Sequence, residues 1–101
     1  MKKIEAIIRP EKRNEVKSAL ENAGFLGLNI VHGGRGGEAY TVDMLPKLKI
    51  EVVAKDADAD KVVEAVLSAA RTGNIGDGKI FISAIEDAVR VRTGERGEVA
   101  V

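Results

Sequence analysis

Lys3-Ile4-Glu5-Ala6-Ile7-Ile8 and Lys49-Ile50-Glu51-Val52-Val53-Ala54 open on the same triplet, and the reading of that echo decides the fold. At the offset that separates the triplets, Val16, Ala19, Leu20 and Ala23 meet Val62, Ala65, Val66 and Ala69. In the first copy Ile4, Ala6 and Ile8 alternate with Glu5 and Ile7, the period of a strand, and Arg9-Pro10 ends it because proline has no N–H for a ladder. The apolar positions that follow fall at i, i+3, i+4 and i+7, one face of a helix, with Gly24 as a left-handed stop. Two β-α-β halves sharing one pattern predict an α+β chain of the ferredoxin-like βαββαβ type. Its antiparallel four-stranded sheet carries both helices on one face.

Outward from the echo, Phe25 to Val31 reads as the second strand and runs into the flexible link Gly33-Gly34-Arg35-Gly36-Gly37. Glu38 to Val53 returns as a long third strand interrupted at Pro46. Asp56, Asp58 and Asp60 imitate a calcium loop, but Lys61 and Leu67 stand where its glycine and bidentate glutamate belong, so they read as caps of the second helix. That helix shows Ala59, Val62, Val63, Val66 and Ala70 on one side and is expected to stop at Gly73. Ile80 to Ile85 forms the fourth strand, and Val89 to Arg92 alternates like a fifth, placing Arg90 and Arg92 on one face. Ile7, Val53, Phe81 and Ile85 point away from the helices, leaving an apolar face that a partner subunit would cover.

The totals bound the function. At 101 residues the chain is one domain, residues 1–101, of modest stability alone. Sixteen basic and sixteen acidic side chains cancel, so nucleic acid and anionic membranes find no electrostatic footprint. No apolar run approaches the roughly 18 residues of a membrane span, and Met1-Lys2-Lys3 leads into a charged strand, so neither membrane insertion nor a signal peptide is expected. Without cysteine the compartment is most simply the cytoplasm, and the lone His32 lacks companions for a metal site. An enzyme is not expected either: no cysteine, no histidine outside the glycines and no serine paired with a base supply a nucleophile.

Arg71-Thr72-Gly73-Asn74-Ile75-Gly76-Asp77-Gly78-Lys79 is where function is expected. Three glycines let the backbone approach a ligand closely, and Arg71 and Lys79 set a cation at each end, the build of an anion cradle. The letters nearly spell a P-loop, but Ile80 replaces the Ser or Thr, and a helix precedes the glycines where a strand should. The bland alternative is a helix end and a tight turn.

Met1 to Pro10, Leu45-Pro46-Lys47-Leu48-Lys49-Ile50-Glu51, Arg71-Thr72-Gly73 with Gly76-Asp77-Gly78-Lys79-Ile80-Phe81, and Val89-Arg90-Val91-Arg92-Thr93-Gly94-Glu95 resemble the nitrogen-regulatory P-II signal-transduction proteins. The resemblance spans nearly the whole chain and implies a homotrimer with an ATP or ADP site in each cleft between neighbouring subunits. It implies that Gly76, Asp77, Gly78 and Lys79, beside Arg71 and Thr72, line the phosphates, and that Arg90 and Arg92 reach the polyphosphate. Gly27, Leu28 and Asn29 of the adjacent subunit would lie near the adenine, with Arg35 a further cation beside the cleft.

The chain also departs from that pattern. Only His32 to Ala39 stand where family members carry a long loop that contacts ammonium transporters and metabolic enzymes, so those partners are expected to be lost. The loop's base supplies the glutamine that coordinates Mg2+ with 2-oxoglutarate, and no glutamine occurs in this chain, although Lys47 matches the lysine that helps there. Tyr40 aligns with a tyrosine that some members have modified, and Asn29 stands where a threonine is usual. Ala84, Val99 and the glycine-rich link also fit an alternative expectation: a trimeric scaffold trimmed and resurfaced to meet a designed partner chain.

Overall fold

The computed structural model describes residues 1–32 and 46–101; Arg35, Tyr40 and the rest of the expected glycine link lie outside the described residues. The sheet has four strands in the order β2-β3-β1-β4, with β1 Lys2–Ile8, β2 Leu28–His32, β3 Leu48–Ala54 and β4 Gly78–Ala84. Each neighbouring pair is antiparallel. Helix α1, Arg13–Asn22, follows β1, and α2, Ala59–Ala70, follows β3, so the order is that of the expected ferredoxin-like sandwich.

The echo survives in three dimensions. Lys2 and Leu48 open β1 and β3, 3-10 turns run over Pro10–Lys12 and Asp56–Asp58, and Arg13 and Ala59 open the helices, each pair separated by the same offset. Register explains the core. Ile4, Ala6 and Ile8 sit opposite Val52, Ile50 and Leu48, and these strand positions are buried together with Val16 and Leu20 of α1 and Val62 and Val66 of α2. One set of alternate strand residues therefore meets both helices, which places the helices on the same face.

Each helix ends for a legible reason. At α1, Gly24 takes φ 95°, its N–H donates to the Glu21 carbonyl and the Phe25 N–H donates to the Leu20 carbonyl at 2.9 Å, the paired bonds of a Schellman stop. Helix α2 ends at Ala70, three residues before the expected Gly73, and Arg71 is already extended. The cause is a competing acceptor: the Asp77 carboxylate takes the Thr72 and Gly73 amides, each at 2.8 Å, that would otherwise continue the helix. At the other end of α2 the expected carboxylate cap is not made. Asp58 occupies the N-cap position without a side-chain cap bond and lies 3.6 Å from the Lys61 ammonium.

Two strand expectations are also corrected. The third strand is shorter than Glu38 to Val53 within the described residues, because Pro46 and Lys47 precede its ladder. Arg90 and Arg92 share no strand. Only Val89 pairs, with Arg96, and Val91 to Thr93 forms a turn that the Gly94 N–H closes on the Arg90 carbonyl at 2.7 Å. The sheet face away from the helices is also less apolar than expected. Ile7 is buried within the single chain, and Lys3, Glu5, Lys49 and Glu51 cross its centre as ion pairs of 3.1 to 3.7 Å. Phe81 remains 55 % exposed there, while Ile82, on the helix side of the edge strand β4, is 53 % exposed because α2 does not cover it.

Candidate functional site

The glycine stretch forms a turn between α2 and β4, and its centre is an internal anion. Asp77 Oδ2 accepts the backbone N–H groups of Thr72 and Gly73, and Oδ1 accepts the Thr72 hydroxyl and the Arg9 Nε–H, the last at 3.2 Å. The Thr72 hydroxyl first, then those two amides and the Arg9 guanidinium, hold the Asp77 carboxyl far below the usual carboxylate range, against a desolvation that opposes them. Thr72 Oγ1 in turn accepts the Asn74 N–H at 3.2 Å.

Two cations from the sheet reach the turn's carbonyls. Arg9, at the end of β1, donates Nη2–H to the Ile75 carbonyl at 2.9 Å, and Lys47, just before β3 and 5 % exposed, donates Nζ–H to the Gly76 carbonyl. The glycines have separate causes. Gly76 has φ 101° with the Arg9 guanidinium against it, and Gly78 has φ 108° with the Ile7 carbonyl so close that a Cβ would stand 1.7 Å from its oxygen. Only glycine fits there.

Beside the turn a groove of about 410 Å³ runs between α2 and β4, with Val63, Val66 and Leu67 on one wall, Ile80 and Ile82 on the other, and Asp77 at its end. Arg71 leaves α2 exposed and Lys79, opposite Ile7 in β4, is exposed on the far face of the sheet, so a cation does stand at each end of the turn. The chain itself does not bring the other expected residues to this place. Gly27, Leu28 and Asn29 lie at the start of β2, on the opposite edge of the sheet. Three strand spacings separate the edges, roughly 14 Å, and the Leu28 row lies four residues from the Gly78 row, roughly 13 Å along the strands.

Arg90 is engaged within the C-terminal segment, with Nη1–H donated to Glu95 at 2.8 Å and Nη2–H to the Val99 carbonyl at 2.7 Å, while Arg92 stands exposed in the neighbouring turn. A second carboxylate, Asp87, ties the same segment by accepting from Arg96 Nε and the Ala88 and Gly97 amides, and Arg96 first among these holds it below its ordinary range. Arg9 was missed as a site residue by sequence reasoning, which saw only the end of a strand before proline. Its single signal is a cation next to a helix-starting proline, which is too common to mark a site. Among the described residues no group of three His, Cys, Asp or Glu side chains could hold a metal ion, and no helix is long and apolar enough to cross a membrane.

A family model described as "Nitrogen regulatory protein P-II" matches residues 1–95. The "Nitrogen regulatory protein P-II" of Cereibacter sphaeroides is 57 % identical over the whole of both chains, and the "Nitrogen regulatory protein P-II 2" of Methanothermobacter thermautotrophicus is 53 % identical over all of this chain and 97 % of its own. Both align over 112 positions where this chain has 101 residues, so eleven alignment positions have no counterpart here. Among solved structures, Arabidopsis thaliana PII bound to citrate superposes with a TM-score of 0.85 at 42 % identity, over 98 % of this chain and 87 % of that one. The chain belongs to the nitrogen regulatory protein P-II family, whose members are signal-transduction regulators and not enzymes.

Proposed function

We propose that this chain is an adenine-nucleotide-responsive regulator acting as a homotrimer, with ATP or ADP bound in each cleft between neighbouring subunits. The observation that carries the reading is the split of the candidate residues: the turn Arg71 to Lys79 and the segment Gly27 to Asn29 lie at opposite edges of one sheet. The two sets stand apart within one chain, and the reading therefore pairs the turn of one subunit with the β2 start of its neighbour. Gly76, Gly78 and Lys79 would face the phosphates, Arg90 and Arg92 the end of the polyphosphate, and Gly27 to Asn29 the adenine. Forked guanidiniums suit phosphate oxygens.

Signalling through the family's protein partners is expected to be curtailed. We assign the eleven absent positions to the segment 32–39, on which reading contacts with ammonium transporters or metabolic enzymes would be reduced. Mg2+ with 2-oxoglutarate stays outside the reading, because no glutamine occurs in the chain. Titration calorimetry with ATP and ADP tests the nucleotide site on protein whose trimeric state has been checked by mass photometry. Heat of binding at one nucleotide per chain is expected. A correctly trimeric protein silent at millimolar nucleotide overturns the reading, and a species larger than three chains would favour the assembly-scaffold alternative.

Arg90→Ala is expected to weaken ATP by about 1.5 to 3 kcal/mol, the scale of a hydrogen bond to a charged group. Because Arg90 also holds Glu95 and the Val99 carbonyl, the control is Glu95→Gln, which loosens the segment while keeping the guanidinium. Unchanged affinity in Arg90→Ala removes that residue from the site.

A further inference from the structure

We infer that Asp77, supported by Arg9, is a positioning residue of the glycine turn: it fixes the loop from within so that the Gly76 amide faces outward, and does not itself contact the ligand. The inference rests on the nucleotide reading above. Both Asp77 oxygens are already occupied, Oδ2 by the Thr72 and Gly73 amides and Oδ1 by the Thr72 hydroxyl and the Arg9 guanidinium. A carboxylate so spent has no oxygen left for a ligand and would repel a phosphate that it faced directly.

The carbonyls complete the argument. Arg9 holds the Ile75 carbonyl and Lys47 holds the Gly76 carbonyl, so both point back toward the sheet. In a trans peptide the N–H points opposite to the C=O, so pinning the Ile75 carbonyl inward turns the Gly76 N–H outward. The Asp77 N–H of the next peptide is turned back to the Asn74 carbonyl at 3.3 Å. Two carbonyls of the turn, those of Ile75 and Gly76, thus meet cations of the same chain, and a third, that of Asn74, meets an amide. What remains outside is the Gly76 amide hydrogen with Arg71 and Lys79 at the two ends of the turn, a surface suited to an anion. Arg9 serves two members of the turn at once, Nε–H on Asp77 and Nη2–H on Ile75, a fork that lysine cannot reproduce.

The sign of one measurement separates this role from direct contact. If Asp77 merely stood beside the phosphates, Asp77→Asn would remove a repulsion and tighten ATP. As a positioning residue, its replacement frees the turn, and ATP affinity is expected to fall at least tenfold while the melting temperature and trimeric state change little. Arg9→Lys is expected to weaken ATP in the same direction.

Amide hydrogen exchange on the nucleotide-free protein supplies the second arm. Thr72 and Gly73 are expected to exchange at least tenfold faster in Asp77→Asn, with β1 and β3 amides unchanged; equal exchange in the two proteins overturns the inference whether or not nucleotide binds. Tighter or unchanged ATP binding in Asp77→Asn overturns it as well. If the unaltered trimer takes up no ATP at all, the nucleotide reading falls, and the exchange arm still decides whether Asp77 orders the turn. Should Asp77→Asn fail to fold, Thr72→Val removes the hydroxyl that donates to Asp77 and accepts the Asn74 N–H, leaves the carboxylate in place, and is read by the same two measurements.

Discussion

Gly78→Ala is expected to lower the stability of the folded chain by about 4 kcal/mol, about half of it from a contact that no rearrangement of side chains can relieve. Two penalties meet at this residue. Its φ of 108° lies where side chains are strained, a cost of about 1 to 3 kcal/mol. In addition, a Cβ would stand 1.7 Å from the Ile7 carbonyl oxygen and 2.8 Å from its carbon, which are backbone atoms of β1. Strand β1 is paired on both sides, to β3 and β4, so it cannot move away without breaking a ladder. Forced overpacking of that kind adds about 1 to 3 kcal/mol.

Gly73→Ala separates the two terms. Gly73 has φ 88° but open space where its Cβ would go, so only the backbone penalty applies, about 1 to 3 kcal/mol. Urea unfolding of both variants at one protomer concentration measures the difference, since an oligomer's stability depends on concentration. Equal losses at the two positions would show that β1 and β4 relax apart and that the close approach carries no weight. The result also bears on function. Gly78 belongs to the stretch expected to receive phosphate, yet its absence of a side chain is already required by the approach of β4 to β1.

The fold was legible in the sequence because the echo is carried by buried positions. Ile4, Ile50, Val16, Leu20, Val62 and Val66 lie on the pattern and are among the core residues. A period of two or of 3.6 records which face is buried, and burial is what the fold consists of. The places where expectation and structure diverge are held by side-chain hydrogen bonds between residues far apart in sequence. Asp77 ends α2 early by taking amides at Thr72 and Gly73, and nothing in the letters of Ala59 to Gly73 announces that competitor. Arg90 and Arg92 alternate with valines as strand residues do, but Arg90 bonds to Glu95 and Val99 and the chain turns at Val91. Of the candidate site, Arg71, Thr72 and the glycine turn were visible as a local cluster. Arg9 and Lys47 were not visible as its supports, because each arrives through strand pairing from dozens of residues away.

Leu20→Ala is expected to cost about 3 kcal/mol of global stability while leaving the glycine turn as ordered as before. Helix α1 commits only two residues fully to the core, Val16 and Leu20, both without exposure, and Leu20 is the larger. Its truncation removes buried methyl groups and leaves a cavity facing α2 and the sheet, the situation in which leucine deletion is most costly. The Leu20 carbonyl keeps its bond from the Phe25 N–H, so the stop of α1 and the entry into β2 are retained. Because the turn is secured by Asp77, Arg9 and Lys47 at the other edge of the sheet, its amides open locally and not through loss of α1. Hydrogen exchange under native conditions should therefore show core amides of α1 and β1 exchanging about a hundredfold faster, the equivalent of about 3 kcal/mol, with Thr72 and Gly73 unchanged. The pattern is the inverse of that for Asp77→Asn. A loss under 1 kcal/mol would place α1 outside the cooperative core, and accelerated exchange at Thr72 and Gly73 would mean that the turn is held by the packing of the whole domain rather than by its own ring of bonds.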